Sequence, residues 1–140
     1  MNYSIGIDIG TTSTKAIIFN DLGEVLKEAS VGYPLLNPEP KAAEQNPDEI
    51  VTAVKEAIRM VIQQMNLKPD EIKFLSFSAA MHSLIALDDW GNPLTHSITW
   101  ADQRSEKQAR QLKETNGQAT CNSSHHTSCT ATAIFSVSFS

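Results

Sequence analysis

Two short apolar runs at the N-terminus, rich in β-branched residues and joined by four small residues, constrain this chain most. They are Tyr3–Ile9 and Thr14–Phe19, with Gly10–Ser13 between them. Such runs favour β-strands, and a connection this short makes neighbouring strands antiparallel. A turn signal at Asn20–Gly23 leads into a third run, Glu24–Gly32. The sequence therefore predicts an antiparallel three-stranded sheet at the start of the chain.

A long amphipathic helix is predicted after a Pro-rich loop. Asn46 is a favourable N-cap, and Pro47 suits the first helical position. Apolar residues then recur every three or four positions until Asn66 and Pro69 end the pattern. The members of this apolar stripe are Ile50, Val51, Val54, Ala57, Ile58, Val61, Ile62 and Met65. We expect the stripe to pack on the sheet.

The rest of the chain predicts two further strands and a second helix. Ile72–Ser78 is expected to be a buried strand, and Ser83–Leu87 a second one. A turn at Asp88–Pro93 follows, and a helix is expected from Asp102 to about Asn116. The order β-β-β-α-β-β-α, with its antiparallel start, favours an α/β ribonuclease H-like domain over a parallel doubly wound one.

Composition bounds the size of the domain and the class of its partners. With 140 residues, 41% of them hydrophobic, the chain is long enough for one domain with a core. Its net charge of −5, without basic clusters, disfavours a nucleic-acid surface. The sequence shows neither a signal-peptide pattern nor an apolar run of membrane-spanning length. We therefore expect a cytoplasmic protein with small-molecule partners and no membrane association.

The sequence changes character near residue 118. All Asp, Glu, Lys and Arg residues lie before Ala119, and the remaining segment is rich in Ser and Thr without a helical or strand period. We expect residues 1–118 to be native sequence and 119–140 to be an aberrant or disordered tail, produced by a frameshift or truncation. A genuine polar extension is the alternative. The Cys and His residues of this segment match no common zinc spacing.

A phosphate site is predicted where the first strand turns into the second. Its residues are Asp8, Gly10, Thr11, Thr12, Ser13 and Lys15. Glycine lets the backbone approach an anion closely, and successive N–H groups of a tight turn form a concave donor set to which hydroxyls add. Asp8 would hold hydrated Mg²⁺, because one carboxylate together with phosphate oxygens suffices for that ion. Lys15 would add positive charge, and an ordinary hairpin turn is the alternative.

Four segments in chain order form a specific combination. They are DIGTTSTK at residues 8–15, AEQNP at 43–47, AMHS at 80–83 and WADQR at 100–104. In that order they resemble the first phosphate motif, the A-E-Q-D-P segment, the M-H-G or M-H-S segment and the W-x-D-x-R segment of the FGGY carbohydrate kinases, members of the actin-like ATPase superfamily. The resemblance covers about residues 3–118 and is strongest to the gluconate kinase branch, with the xylulose kinases next.

The resemblance implies ATP-dependent phosphoryl transfer to a hydroxyl of a sugar, polyol or sugar acid, in a cleft between two actin-like domains. This chain would hold only the N-terminal part of the first. ATP and Mg²⁺ are the implied cofactors, with the phosphates and the metal at Asp8–Lys15. The implied sugar-facing residues are Met81, His82, Trp100, Asp102 and Gln45.

The same resemblance places the catalytic base, the second phosphate motif and the adenosine pocket beyond residue 140, so no catalytic residue is assigned in this chain. We expect the chain alone to be inactive as a kinase, to fold marginally or aggregate, and to expose an apolar face. A homodimer is left open for the intact protein.

Structural roles compete with the sugar-facing ones. Met81 and His82 follow a predicted strand and could fill the core. Trp100 could pack, although an indole also offers a sugar an apolar platform and an N–H donor. Asp102 could cap the helix after it, and Arg104 could pair with an acidic neighbour. Two other functions stay open: a non-catalytic sugar- or phosphate-binding fragment or inactive remnant, and an actin-like structural or sensor protein, which the AMHS and WADQR segments disfavour.

Overall fold

The computed structural model describes residues 2–116, and side chains as far as residue 112; the expected tail lies outside them. The described residues form two compact units, 2–35 with 45–80 and 36–44 with 81–116. In chain order, the helices and strands are β1 (Tyr3–Ile9), β2 (Ser13–Phe19), β3 (Val25–Gly32), β4 (Glu44–Gln45), α1 (Pro47–Met65), β5 (Ile72–Ala79), β6 (Ser97–Ile98) and α2 (Glu106–Asn116). The predicted α/β class is confirmed.

The first unit is built on a mixed four-stranded sheet in the order β3-β2-β1-β5. β2 pairs antiparallel with both β1 and β3, which confirms the predicted three-stranded start. β5 pairs parallel with β1, and a parallel pair needs a crossover, which α1 supplies. β1 is thus held on both sides, with Asp8 opposite Lys15 of β2 and Ser78 of β5.

Helix α1 packs on β1, β2 and β3 and closes the core of this unit. It starts as predicted, with the Asn46 side chain accepting a hydrogen bond from the Asp48 N–H at 3.0 Å. It ends at Asn66, whose φ of 50° is a left-handed conformation that Asn tolerates. Val51, counted in the apolar stripe, is exposed because it lies at the margin of that stripe. The core residues are Ile5, Ile7, Ala16, Ile18, Ala29, Val54, Ala57 and Val61.

Strand β5 forms where it was predicted, but the expectation that it is buried is wrong. Phe74, Leu75 and Phe77 are all exposed by more than two fifths of their surface. The cause is the strand order, because β5 lies at the edge of the sheet formed by residues 2–116 and α1 packs mainly on β2 and β3. The expected exposed apolar face is confirmed at this strand.

The second unit has little regular structure. β4 pairs with β6, and the predicted strand at residues 83–87 is reduced to isolated bridges of Leu84 with Ile98 and of Leu87 with Pro93. The predicted turn after it is confirmed, because the Asp88 carboxylate accepts hydrogen bonds from the backbone and side chain of Asn92. Helix α2 starts at Glu106, later than predicted. No helix within residues 2–116 is long and apolar enough to cross a membrane.

Candidate functional site

The predicted phosphate turn, residues 10–13, lies in the first unit, between the end of β1 and the start of β2. It is closed by the Gly10 N–H, which donates to the Ser13 carbonyl at 2.9 Å. A Cβ atom on Gly10 would lie 3.0 Å from that same carbonyl oxygen, closer than side chains are normally accommodated. The close backbone approach therefore favours glycine at the first position of the turn, because a Cβ there would push the Ser13 carbonyl away.

Asp8 and Lys15 lie directly opposite each other on β1 and β2, so their side chains share one face of the sheet. Both are exposed, whereas Ile7 beside Asp8 is buried against the face that α1 covers. Lys15 lies 3.9 Å from Glu28 of β3, an exposed pair that contributes little stability. Within residues 2–116 the Asp8 carboxylate makes no ion pair, and no cluster of three or more His, Cys, Asp or Glu forms a metal site. Asp8 therefore offers a single accessible carboxylate beside the turn, which fits the Mg²⁺ requirement stated above.

Two buried side chains bind the backbone of the turn from the protein side. The Tyr33 hydroxyl donates to the Gly10 carbonyl at 2.6 Å, and the Tyr33 N–H donates to the Thr12 carbonyl at 3.0 Å. The Gln45 side-chain amide donates to the carbonyl of Thr11 between them. Tyr33 is 8% exposed and Gln45 is 5% exposed. All three carbonyls of residues 10–12 are therefore engaged by residues distant in sequence.

Burial raises the pKa of the Tyr33 phenol above its ordinary value. The nearby Thr14 hydroxyl, 3.4 Å away, opposes that rise in pKa, and the negative charge of Asp8 adds to it. The phenol thus stays protonated, which it must be in order to donate to the Gly10 carbonyl. Sequence reasoning missed Tyr33, because no period or motif distinguishes it from other residues after a strand.

The predicted sugar-facing residues are divided between the two units. Gln45 belongs to the first, where it contacts the phosphate turn, and Met81, His82, Trp100 and Asp102 belong to the second. Met81 and Trp100 are 71% and 61% exposed, so neither fills the core in the described part of the chain. The antiparallel bridge of Leu84 with Ile98 brings together the segments that follow His82 and precede Trp100.

His82 has an unusual backbone conformation. Its φ is 67°, in the left-handed region that residues other than Gly seldom adopt, although His is enriched there several-fold. Its side chain is exposed. A left-handed residue outside a regular element is the kind of outlier that occurs at ligand-binding sites.

Asp102 is the best-defined carboxylate of the second unit. Its side chain is 7% exposed and accepts hydrogen bonds from the Ala43 N–H at 3.0 Å and the Arg104 N–H at 3.0 Å. The Arg104 guanidinium lies 2.9 Å from it through Nε and 2.8 Å through Nη2. These contacts use the acceptor positions of the carboxylate. Asp102 is not the N-cap of α2, because that helix starts at Glu106.

The Arg104 guanidinium joins three carboxylates, which confirms the expected pairing with acidic neighbours. Besides Asp102 it reaches Glu39 at 2.9 Å and Glu44 at 2.6 Å. Hydrogen bonds from the Arg104 side chain lower the pKa of Asp102 to about 2, against burial, which opposes the shift. The same bonds, led by the one to Asp102, raise the pKa of Arg104. This group of four residues, the Arg104 cluster, ties residues 39–44 to the WADQR segment.

Comparison with known proteins identifies similar sequences and a similar solved structure. The sequence profile of the FGGY family of carbohydrate kinases, N-terminal domain, matches residues 3–139. A gluconokinase of Bacillus licheniformis is 52% identical over 114 residues, which are 81% of this chain and 22% of that protein. A xylulose kinase of Staphylococcus epidermidis is 37% identical over 114 residues, 81% of this chain and 23% of that protein.

The crystal structure of a gluconate kinase from Lactobacillus acidophilus matches with a TM-score of 0.76 at 37% identity, covering 82% of this chain and 23% of that one. This chain thus spans less than a quarter of the length of these relatives. The likeness confirms the predicted actin-like, ribonuclease H-like fold for the part that matches. The chain belongs to the FGGY family of carbohydrate kinases, as a portion of their N-terminal domain.

Proposed function

We propose that this chain is the N-terminal part of an ATP-dependent kinase that phosphorylates a hydroxyl of a sugar acid or sugar, with gluconate as the favoured substrate and xylulose next. The phosphate turn beside the accessible Asp8 carboxylate carries the proposal. The identity of 52% with a gluconokinase, against 37% with a xylulose kinase, supports the order of substrates.

The turn at residues 10–13 would receive the nucleotide phosphates. Its backbone N–H groups and the hydroxyls of Thr11, Thr12 and Ser13 are donors suited to phosphate oxygens. Lys15 supplies a positive charge on the face of the sheet that carries Asp8. Phosphoryl transfer depends mostly on holding the phosphates in line and neutralising their charge, and these groups are suited to that work.

Mg²⁺, when bound, would bridge phosphate oxygens and neutralise charge that develops during transfer. Asp8 is the residue that would hold it, through the ordered waters that this ion keeps. An exposed carboxylate next to backbone donors is compatible with such an outer-sphere contact.

The sugar would lie against residues of the second unit. Met81 and Trp100 offer exposed apolar surface suited to the C–H face of a sugar, and the exposed His82 imidazole offers a polar contact to its hydroxyls. Asp102 would act by holding the WADQR segment in shape, since its acceptor positions are used by Ala43 and Arg104. Gln45, bonded to the phosphate turn, is assigned to the nucleotide side instead.

We propose further that this chain alone transfers no phosphoryl group and that its working environment is the cytoplasm. The reaction also needs a base that deprotonates the attacking hydroxyl. The matched segment makes up less than a quarter of the kinases that it resembles. The base is assigned to the part of the protein that this chain does not span.

Replacing Asp8 by Asn tests the nucleotide side. The substitution keeps the size of the side chain and removes its charge, so Mg²⁺-dependent ATP binding to the 140-residue chain should weaken on the order of tenfold or more. Calorimetric titration with ATP, with and without Mg²⁺, gives the measurement. Asp21, in the turn after β2, is also exposed, so Asp21→Asn is the matched control and should leave binding unchanged. Equal affinities of the Asp8→Asn variant and the unmodified chain would count against the proposal.

A non-catalytic sugar- or phosphate-binding role is the second candidate. The accessible phosphate turn favours it, because that turn is complete within the described residues. Two results together would favour this candidate over the kinase. The chain would bind gluconate or phosphate in calorimetry, and the longest protein that its gene encodes would show no ATP-dependent phosphorylation.

The native segment is proposed to end near residue 118, with 119–140 read from a shifted frame. The gluconokinase and the xylulose kinase named above align over 114 residues, whereas the family profile extends to residue 139. The sequence of the coding DNA distinguishes a shifted frame from a true continuation. Sequencing it from about codon 110 onward should reveal a second frame that continues with charged, periodic sequence. A gene without such a frame would establish the polar segment as the true continuation.

A further inference from the structure

We propose that Tyr33 and Gln45 are positioning residues that hold the peptide planes of the phosphate turn, so that the N–H groups of residues 11–13 face the phosphates of the nucleotide. This clamp, defined as the Tyr33 hydroxyl, the Tyr33 N–H and the Gln45 side-chain amide, rests on the proposed function and names the residues that pre-organise its phosphate site. Both residues act through the turn.

The clamp engages the carbonyl groups of the turn. Three successive carbonyls, those of residues 10, 11 and 12, each accept a hydrogen bond from the clamp. Tyr33 takes the outer two, one through its phenol and one through its backbone, and Gln45 takes the middle one. Ordinary hairpin turns satisfy their backbone locally or through water. Here two buried side chains serve a turn of four residues.

The planar peptide bond couples the direction of each carbonyl to that of the next N–H. In a trans peptide, the carbonyl of one residue and the N–H of the next point in opposite directions across the same plane. When the carbonyls of residues 10–12 are drawn toward Tyr33 and Gln45, the N–H groups of Thr11, Thr12 and Ser13 are turned the other way. Successive N–H groups turned to one side form a binding site for anions. The clamp thus sets the direction of the donors.

Both clamp residues are buried and adjoin regular elements. Gln45 immediately precedes Asn46, the N-cap of α1, and Tyr33 immediately follows β3, so both donors stand at the ends of regular elements. Buried donors that lose their acceptor pay a desolvation cost, so the clamp holds the turn in one arrangement. Donors already oriented before the ligand arrives need no reorganisation when it binds, which favours affinity.

The test uses two variants that each remove one donor, Tyr33→Phe and Gln45→Met. Matched controls are Tyr3→Phe, at the far end of β1 from the turn, and Gln64→Met, on the exposed side of α1. Backbone ¹⁵N relaxation of the 140-residue chain measures the order parameters of residues 11–13. We expect a drop from about 0.85 toward 0.6 in both clamp variants, with Ile17 and Ile18 unchanged. Calorimetry with Mg²⁺ and inorganic tripolyphosphate should show binding about tenfold weaker in each clamp variant.

The outcomes separate the clamp from the proposed function. Unchanged order parameters and unchanged tripolyphosphate affinity in both clamp variants would overturn the clamp while leaving the phosphate site intact. Lower order parameters in the variants, with no binding of tripolyphosphate to the unmodified chain, would overturn the phosphate role and the proposed function together.

A measurement on the unmodified chain covers the case in which a variant does not fold. The Gln45 side-chain amide protons should exchange with solvent at least tenfold more slowly than those of Gln64, because only the former are buried and bonded to a carbonyl. Equal exchange rates for the two side chains would overturn the clamp without any substitution.

Discussion

Replacing Arg104 by Met should raise the pKa of Asp102 from about 2 toward 3.8, its ordinary value, which is close to a hundredfold change in proton affinity. The side-chain hydrogen bond from Arg104 is the largest cause of the depressed pKa. Removing it also leaves Asp102 near Glu39 and Glu44 without the shared cation, and like charges favour protonation. Titration of the Asp102 carboxyl carbon by ¹³C NMR gives the measurement.

The control for that prediction is Arg110→Met, which removes an exposed guanidinium paired with Glu106 and should leave the pKa of Asp102 at about 2.

The depressed pKa of Asp102 also predicts that the free energy of unfolding falls at acid pH. A carboxyl group whose folded pKa is depressed stabilises the fold above its unfolded pKa, so this contribution is complete above about pH 4 and is lost between about pH 4 and pH 2. In urea unfolding measured at several pH values, Arg104→Met should remove most of this decrease in the free energy of unfolding between about pH 4 and pH 2. A pKa of Asp102 that stays near 2 in the variant would refute the assignment.

Replacing Ile18 by Ala should lower the free energy of unfolding of the first unit by about 2–5 kcal/mol. Ile18 is 0% exposed and belongs to the core that β2 forms with α1, so its truncation leaves a cavity in a closely packed region. Losses of this size are a large fraction of the stability of a small domain. Urea unfolding followed by circular dichroism measures the change.

The neighbouring residue supplies the matched control for the core. Ile17 lies on the opposite face of β2 and is only partly buried, so Ile17→Ala removes the same atoms from a less packed place. It should cost markedly less than Ile18→Ala. Equal losses for the two variants would mean that α1 does not pack on the sheet as described.

The elements with local signals could be predicted from the sequence. The antiparallel start follows from short connections between β-branched runs, and the limits of α1 follow from Asn46, Pro47 and Asn66, whose effects act within one helical turn. The exposure of β5 could not be predicted, because an apolar run is the same whether its strand is central or last in the sheet. The start of α2 was misplaced because Asp102, a good N-cap by residue type, is held by Arg104 instead.

In the candidate site, too, local features could be predicted from the sequence and long-range contacts could not. The phosphate turn is visible in the sequence because its residues are consecutive. The contacts that orient it are not, since Tyr33 lies 23 residues from Gly10 and Gln45 lies 34 residues from Thr11. The Arg104 cluster similarly joins residues 65 positions apart. The sequence singled out Gln45 for a sugar contact by resemblance, and the structure gives it a carbonyl of the turn as partner.

The left-handed backbone at His82 limits which residues can replace it over evolutionary time. Glycine adopts this conformation freely, and Asn and Asp resemble His in adopting it at modest cost. A β-branched residue would be destabilised by about 1–2 kcal/mol through the backbone alone. Substitution of His82 by Gly, Asn or Asp would remove the imidazole and leave the backbone conformation in place. Position 82 can therefore change its side-chain chemistry through single substitutions while the backbone keeps its conformation, whereas Val or Ile at this position is disfavoured.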